Sequence, residues 1–325
     1  MHKKIKLGIV GYGNLGKGVE MAISQNKDME LVAVFSRRPA AQVLSAAPVY
    51  NMNQLKDFQS KIDVMILCGG SAKDLPQQTP EIAKYFNTVD SFDTHANIPE
   101  YFKTVDLQAK KNQHLSLIST GWDPGLFSML RLLGESVLPE GKTYTFWGKG
   151  LSQGHSDALR KVEGVKLAAQ YTIPDKNAIQ EVYQGKQPDF PAEKMHNRIC
   201  YVVLEENTDA AKVEKDIITM PDYFAPYHTE VHFISEEEFK KNHQAMPHGG
   251  NVIRAGNSAK NNKQIFEFSL NLASNPEFTS SVLVAFSRAV FRLSKNGKSG
   301  AISVFDIPLG MLSPKSPADL RKELL

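Results

Sequence analysis

The chain has 325 residues, 42% apolar and 22% charged, at 36.1 kDa; that is enough for two domains around a sizeable core and excludes a disulfide miniprotein or a disordered polyelectrolyte. Lys plus Arg number 38 and Asp plus Glu 35, for a net charge of +3, and no basic run is interleaved with aromatics, so no nucleic-acid partner is expected. Cys68 and Cys200 have no metal-ligand spacing, no run approaches the roughly 18 apolar residues of a membrane helix, and residues 1–6 lead into a short strand with no signal-peptide core, so a soluble cytoplasmic protein without membrane or metal is expected.

An apolar run at 5–10 ends at Gly11-Tyr12-Gly13-Asn14-Leu15-Gly16, after which Val19, Met21, Ala22 and Ile23 fit a helix. A second run at 31–35 stops at Ser36-Arg37-Arg38 and completes a βαβ unit. Strands at 64–68, 88–89 and 115–119 follow, with helices expected at 81–86 and 99–112 between them. This alternation predicts an α/β fold, a Rossmann-type doubly wound parallel sheet, whose ligands bind beyond the carboxyl ends of its strands. After Pro124 the rhythm changes: 144–147 and 198–204 read as strands and 212–218 as a helix. These belong to a second α+β domain with a mixed sheet. Asn275-Pro276 then opens an amphipathic helix to Ser294, with Gly297 past its end. The expected division is 1–122 with 275–325 for dinucleotide binding, and 123–274 for substrate binding and dimerisation.

The glycine motif follows a strand and opens a helix, so its amides suit a pyrophosphate; the bland reading is a structural turn. At the end of the second strand, a hydroxyl and two guanidinium groups stand where a carboxylate would favour NAD. Ser36, Arg37 and Arg38 therefore point to the 2′-phosphate of NADP, unless the arginines are merely solvated. Cys68-Gly69-Gly70-Ser71-Ala72 lets backbone approach a cofactor, or is only a tight turn, with Cys68 a packed thiol.

Asp93 and Asp123 follow neighbouring strands and, with Trp122, suit a cationic amine beside a carbon that loses hydride; alternatively they are a helix cap and a turn residue. In the second half Arg198, His248 and Thr172 are candidates for a substrate carboxylate, although a lone Arg or His is usually structural. His248 is expected in a loop, Asn275 as a helix cap or a ligand, and Trp147 in a pocket wall or the core. His228 and His232 alternate as in a strand and are not a helical metal pair.

The segments at 11–16, 35–38, 119–125, 145–148, 150–160, 219–224 and 246–250 together resemble the meso-diaminopimelate dehydrogenase family along nearly the whole chain. Those at 119–125, 150–160 and 246–250 are the most particular to it, and Gly69 stands where a larger residue is expected. The resemblance implies a homodimer performing NADP-dependent oxidative deamination at the D centre of meso-2,6-diaminoheptanedioate, in lysine and cell-wall precursor metabolism. It places Asp93 and Asp123 at the reacting amine, Trp122, Trp147, Gln153 and Gly154 around the substrate, and Thr172, Arg198, His248 and Asn275 at the distant L centre. Ser91 and Phe92 with Asp93, and Gly121, Pro124 and Gly125 with Trp122 and Asp123, join the cofactor contacts. Two other readings share this framework: a broader NADP-dependent D-amino-acid dehydrogenase or reductive aminase, and an NADPH sensor without turnover.

Overall fold

The computed structural model describes residues 4–221, 223–260 and 262–325; Asp222 of the 219–224 segment and the first three residues lie outside them. In chain order the elements are β1 (Ile5–Val10), α1 (Asn14–Ser24), β2 (Met29–Ser36), β3 (Val49–Asn51), β4 (Val64–Leu67), α2 (Leu75–Ile82), β5 (Asn87–Asp90), α3 (Ile98–Lys111) and β6 (Leu115–Leu117). There follow α4 (Leu126–Val137), β7 (Gly141–Trp147), β8 (Gly150–Leu151), α5 (Gln153–Leu159), β9 (Val165–Pro174), α6 (Lys176–Tyr183), α7 (Ala192–Met195) and β10 (His196–Leu204). The last are α8 (Ala210–Ile218), β11 (Thr229–Phe233), α9 (Glu236–Asn242), β12 (His248–Ala259), β13 (Asn262–Leu272), α10 (Asn275–Lys295), β14 (Gly300–Ile302) and α11 (Pro317–Leu324). They form two compact units, one of the described residues up to Met129 with Pro276–Leu325, the other Leu130–Asn275.

In the first unit, seven strands run in the order β14-β6-β5-β4-β1-β2-β3, every pair parallel. Strand β1 lies between β2 and β4, so the connection reverses direction there and opens a crevice at the carboxyl edge. Side chains of β4 alternate between the two faces, as a strand covered on both sides requires: Val64 and Ile66 join one core with α1 and α10, Met65 and Leu67 the other with Leu75, Tyr101 and Val105 of α2 and α3. Arg288 of α10 is buried at 1% exposure. Its guanidinium holds Asp28 through Nε at 2.6 Å and Nη2 at 2.9 Å, and donates to the carbonyl of Leu312. That pair keeps the Asp28 carboxyl below its usual range.

One helix lies elsewhere than the sequence reading placed it. Residues 83–86 lie beyond the end of α2, which starts earlier, at Leu75. Pro76 falls in its first turn, where an amide has no intrahelical partner to lose, although Pro80 also lies inside it.

The second unit holds two sheets: β11-β10-β9-β8, in which only β10 and β11 are parallel, and the antiparallel β13-β12-β7. A core of Leu159, Ala168, Cys200, Val202, Val213, Ile217 and Phe224 backs the first of them. His248 is the first residue of β12, not a loop residue. The glycines after it have a packing reason. A Cβ on Gly249 would run into the carbonyl of Leu270, and one on Gly250 into that of Phe146. Close strand approach, and no flexible loop, is what they serve.

Candidate active site

At the carboxyl edge of the first sheet the three glycines of the motif divide three tasks. Gly11 turns the chain at φ +87°, with its Cβ direction 3.3 Å from the backbone of Cys68; a Cβ on Gly16 would strike the carbonyl oxygen of Gly11; beside Gly13 there is open space. No side chain caps α1 at Gly13. This cradle fits a pyrophosphate against the start of α1, with Tyr12, Asn14 and Leu15 in the same turn. The adjoining cleft, of about 290 Å³, is lined by Ser36, Arg37 and Arg38 on one side and Cys68, Gly69 and Gly70 on the other. The Ser36 hydroxyl accepts from the Arg38 amide at 3.0 Å, and the Arg38 guanidinium donates to the Tyr12 carbonyl. Arg37 reaches Asp74 at 3.0 Å with most of its side chain exposed. Two cations above a cleft fit a phosphate monoester. A Cβ on Gly69 would meet Asp74 and Gln78, which fill the room a larger residue there would occupy. Burial pushes the Cys68 thiol up, which favours the protonated, packed form.

Asp93 follows β5 and Asp123 follows β6, neighbours in the sheet. Asp93 is exposed and Asp123 half-buried. The Asp93 amide donates to Ser71 at 2.8 Å, and the Ser71 hydroxyl lies 3.2 Å from that of Thr94. That ties the Ser71-Ala72 turn to the loop of Ser91, Phe92 and Asp93. Gly121 and Gly125 close the other loop: the amide of Leu126 donates to Gly121 and that of Phe127 to Trp122, whose buried indole meets Phe127 edge-on at 5.2 Å. A Cβ on Gly125 would collide with the Gly121 backbone, and Pro124 lies between.

In the second unit the register sets Gly150, Thr172 and Arg198 side by side on β8, β9 and β10. Arg198 is 7% exposed, donates to the Thr172 hydroxyl at 2.7 Å and lies 3.9 Å above the ring of Tyr227. Its Nε is buried without a partner. No carboxylate among the described residues pairs with it, and burial lowers its pKa. His155 and His196 lie near it, each held down to about 4 first by burial and then by the Arg198 charge. Both stay neutral at neutral pH and leave the guanidinium as the local charge.

The other candidates lie close by in this unit. Trp147, 39% exposed, stacks on His196 at 5.4 Å, and its amide donates to that ring's Nε2 at 2.9 Å. The His248 ring covers Gly150. Gln153 reaches the Met246 sulfur at 3.3 Å. Gly154 faces open space, and the Asn275 amide donates to Met246 at 2.8 Å. His196 belongs to β10, His155 to α5 within the 150–160 segment, and Tyr227 precedes β11; no spacing in the sequence marks the three as neighbours of Arg198. Among the described residues no three His, Cys, Asp or Glu could hold a metal ion, and no helix is long and apolar enough to cross a membrane.

Residues 121–274 match the diaminopimelic acid dehydrogenase C-terminal domain model. A meso-diaminopimelate D-dehydrogenase of Lysinibacillus sphaericus is 64% identical over 323 residues, covering 99% of both chains. The chain belongs to the meso-diaminopimelate dehydrogenase family. A meso-diaminopimelate dehydrogenase variant from Clostridium tetani E88, solved with DAP, is 59% identical with a TM-score of 0.93, covering 99% of this chain and 100% of that one. An engineered D-amino acid dehydrogenase bound to NADP+ is 40% identical with a TM-score of 0.86 over the same shares. The chain is accordingly an NADP-dependent oxidoreductase acting on a CH–NH2 group; it oxidatively deaminates the D centre of meso-2,6-diaminoheptanedioate to L-2-amino-6-oxoheptanedioate and ammonia. That reading prevails over the broader dehydrogenase and the sensor.

Proposed function

We propose that in this deamination Asp93 and Asp123 hold the ammonium of the D centre and take its proton, while Arg198 and Thr172, with His248 and Asn275, hold the carboxylate and amine of the L centre. One observation carries the L-centre assignment: Arg198 is a buried cation without a carboxylate among the described residues. Such a charge is costly unless an anion joins it, and its hydrogen-bonding fork matches a carboxylate. Trp122, Trp147, Gln153 and Gly154 shape the surrounding surface. The bound NADP supplies the hydride acceptor. The residues of this chain orient the amine, accept its proton and leave an imine that water opens to the oxo acid and ammonia. Orientation contributes most of the rate. Gripping the two ends of the substrate differently also sets its stereochemistry, since only one centre can then present its hydrogen.

Residues 11–16 would hold the pyrophosphate, and Ser36, Arg37 and Arg38 the 2′-phosphate. Replacing Arg37 by alanine is expected to raise the KM for NADP about tenfold, the worth of one charged hydrogen bond, and to leave that for NAD unchanged. Equal losses with both cofactors in steady-state kinetics would remove Arg37 from phosphate recognition. Residues 1–122 and 275–325 would then form the dinucleotide-binding domain, close to the bounds of the first unit, and 123–274 the substrate-binding and dimerisation domain. Exposed Leu132, Leu133, Val137 and Ile265 of the second unit support a homodimer. The free thiols Cys68 and Cys200 suit a cytoplasmic address.

NADPH formation from the separate meso, LL and DD isomers tests the two-ended grip. Turnover is expected with the meso isomer and NADP, and the LL isomer, which has no D centre, should be inert. Equal turnover of the meso and DD isomers would contradict a dedicated L-centre site.

A further inference from the structure

We propose that Asp90 is a positioning residue for the reaction: its buried carboxylate fixes together the two loops that carry Asp93 and Asp123. The inference rests on the assignment of those two aspartates to the reacting amine.

Asp90 ends β5 and is 0% exposed. Its Oδ1 accepts the amide of Phe92 at 3.0 Å, from the loop that continues to Asp93, and the amide of Ser119 at 3.0 Å, from the loop that continues to Asp123. Its main-chain carbonyl accepts a further amide of that second loop, Thr120, at 2.8 Å. The other carboxylate oxygen, Oδ2, accepts the hydroxyls of Thr79 at 3.0 Å and Tyr101 at 2.5 Å. Those two hydroxyls belong to α2 and α3, and the Tyr101 ring stacks on Phe92 at 4.0 Å. One side chain thus has its acceptor sites filled, one oxygen by the two loops and the other by the two helices beneath.

Two features argue that this arrangement does more than end a strand. Ser119 stands at φ +54°, a left-handed conformation that a residue with a Cβ holds only where its surroundings over-determine it. Its own amide and the next one both end on Asp90. Second, among the described residues no cation pairs with Asp90. Burial raises its pKa and the four donated bonds oppose that rise. A buried acid with no cation beside it is a costly way to finish a strand that Val or Ile would finish as well. What an aliphatic side chain cannot do is accept one amide from each loop. A displacement of about 1 Å in a reacting group can cost roughly 100-fold in rate, so the benefit of the clamp falls on Asp93 and Asp123.

The test is a set of variants read in steady-state kcat, KM and equilibrium NADP+ binding. Asp90→Asn keeps an oxygen for both amides and is expected to retain kcat within about threefold. Asp90→Ala removes the acceptor and should lower kcat at least tenfold, with the NADP+ Kd within threefold of the wild type. In a D93A/D123A background the same Asp90→Ala change should cost nothing further, because the groups it positions are gone. Tyr101→Phe is the milder variant should Asp90→Ala not fold. It leaves the ring against Phe92, removes one donor, and should cost kcat a few-fold, again only while Asp93 and Asp123 are present. Undiminished kcat in Asp90→Ala or Tyr101→Phe overturns the proposal. So does a loss of equal size in the D93A/D123A background, or a parallel loss of NADP+ binding, either of which marks a merely structural role. Full kcat in D93A/D123A itself would instead remove the reading of the two aspartates, and the proposal with it.

Discussion

Replacing Arg198 by methionine is expected to raise the KM for meso-diaminopimelate about 30- to 4,000-fold, the equivalent of roughly 2–5 kcal/mol for truncating one member of a buried charged pair. Methionine keeps the length and apolar stem but can neither neutralise a carboxylate nor donate to it. Thr172 would lose its 2.7 Å donor at the same time, so the hydroxyl alone would face the substrate. The effect can be separated from general damage by changing the substrate as well as the enzyme. D-Lysine is meso-diaminopimelate without the L-centre carboxylate. The wild type should lose most of its advantage on D-lysine, whereas the Arg198→Met enzyme should treat the two substrates nearly alike, because the second deletion removes an interaction already gone. An unchanged KM for meso-diaminopimelate in Arg198→Met would take the guanidinium out of the site.

Asp93→Asn and Asp123→Asn are each expected to lower kcat by about 10²- to 10⁴-fold, the range found when a positioned proton acceptor is removed. Asparagine preserves shape and hydrogen-bonding reach and removes only the charge, so NADP+ binding measured at equilibrium should stay within threefold. The two losses should not add in full in the double variant, since both oxygens serve one nitrogen. Near-normal kcat in both single variants would mean that the amine is oriented by other groups.

The parts of this molecule that were legible in its sequence are those in which neighbouring residues carry the signal. The run at 5–10, the glycine motif and the helix after it lie within some twenty residues, and β1, the turn and α1 fall there. The acidic loops after β5 and β6 were readable for a related reason: in a parallel sheet the carboxyl ends of the strands share one edge, so the order of elements places them. Three-residue strands such as β3 and β14 are too short to show a period. In the pair Gly249-Gly250 close strand packing resembled a flexible loop, because glycine serves both. Asp90 was least visible. Its meaning lies in Thr79, Tyr101 and Ser119, partners 11 to 29 residues away that only the folded sheet brings together. The same holds for Arg198, where the informative fact is that no carboxylate among the described residues neutralises it.

The most direct measurement is a structure of the protein crystallised with NADP+ and meso-diaminopimelate. The two-ended grip predicts carboxylate oxygens of Asp93 and Asp123 at hydrogen-bonding distance, about 3 Å, from the D-centre nitrogen, and the Arg198 guanidinium on the carboxylate of the L centre. Aspartate side chains turned to bulk solvent with the amine held elsewhere, or Arg198 without contact to the ligand, would contradict it.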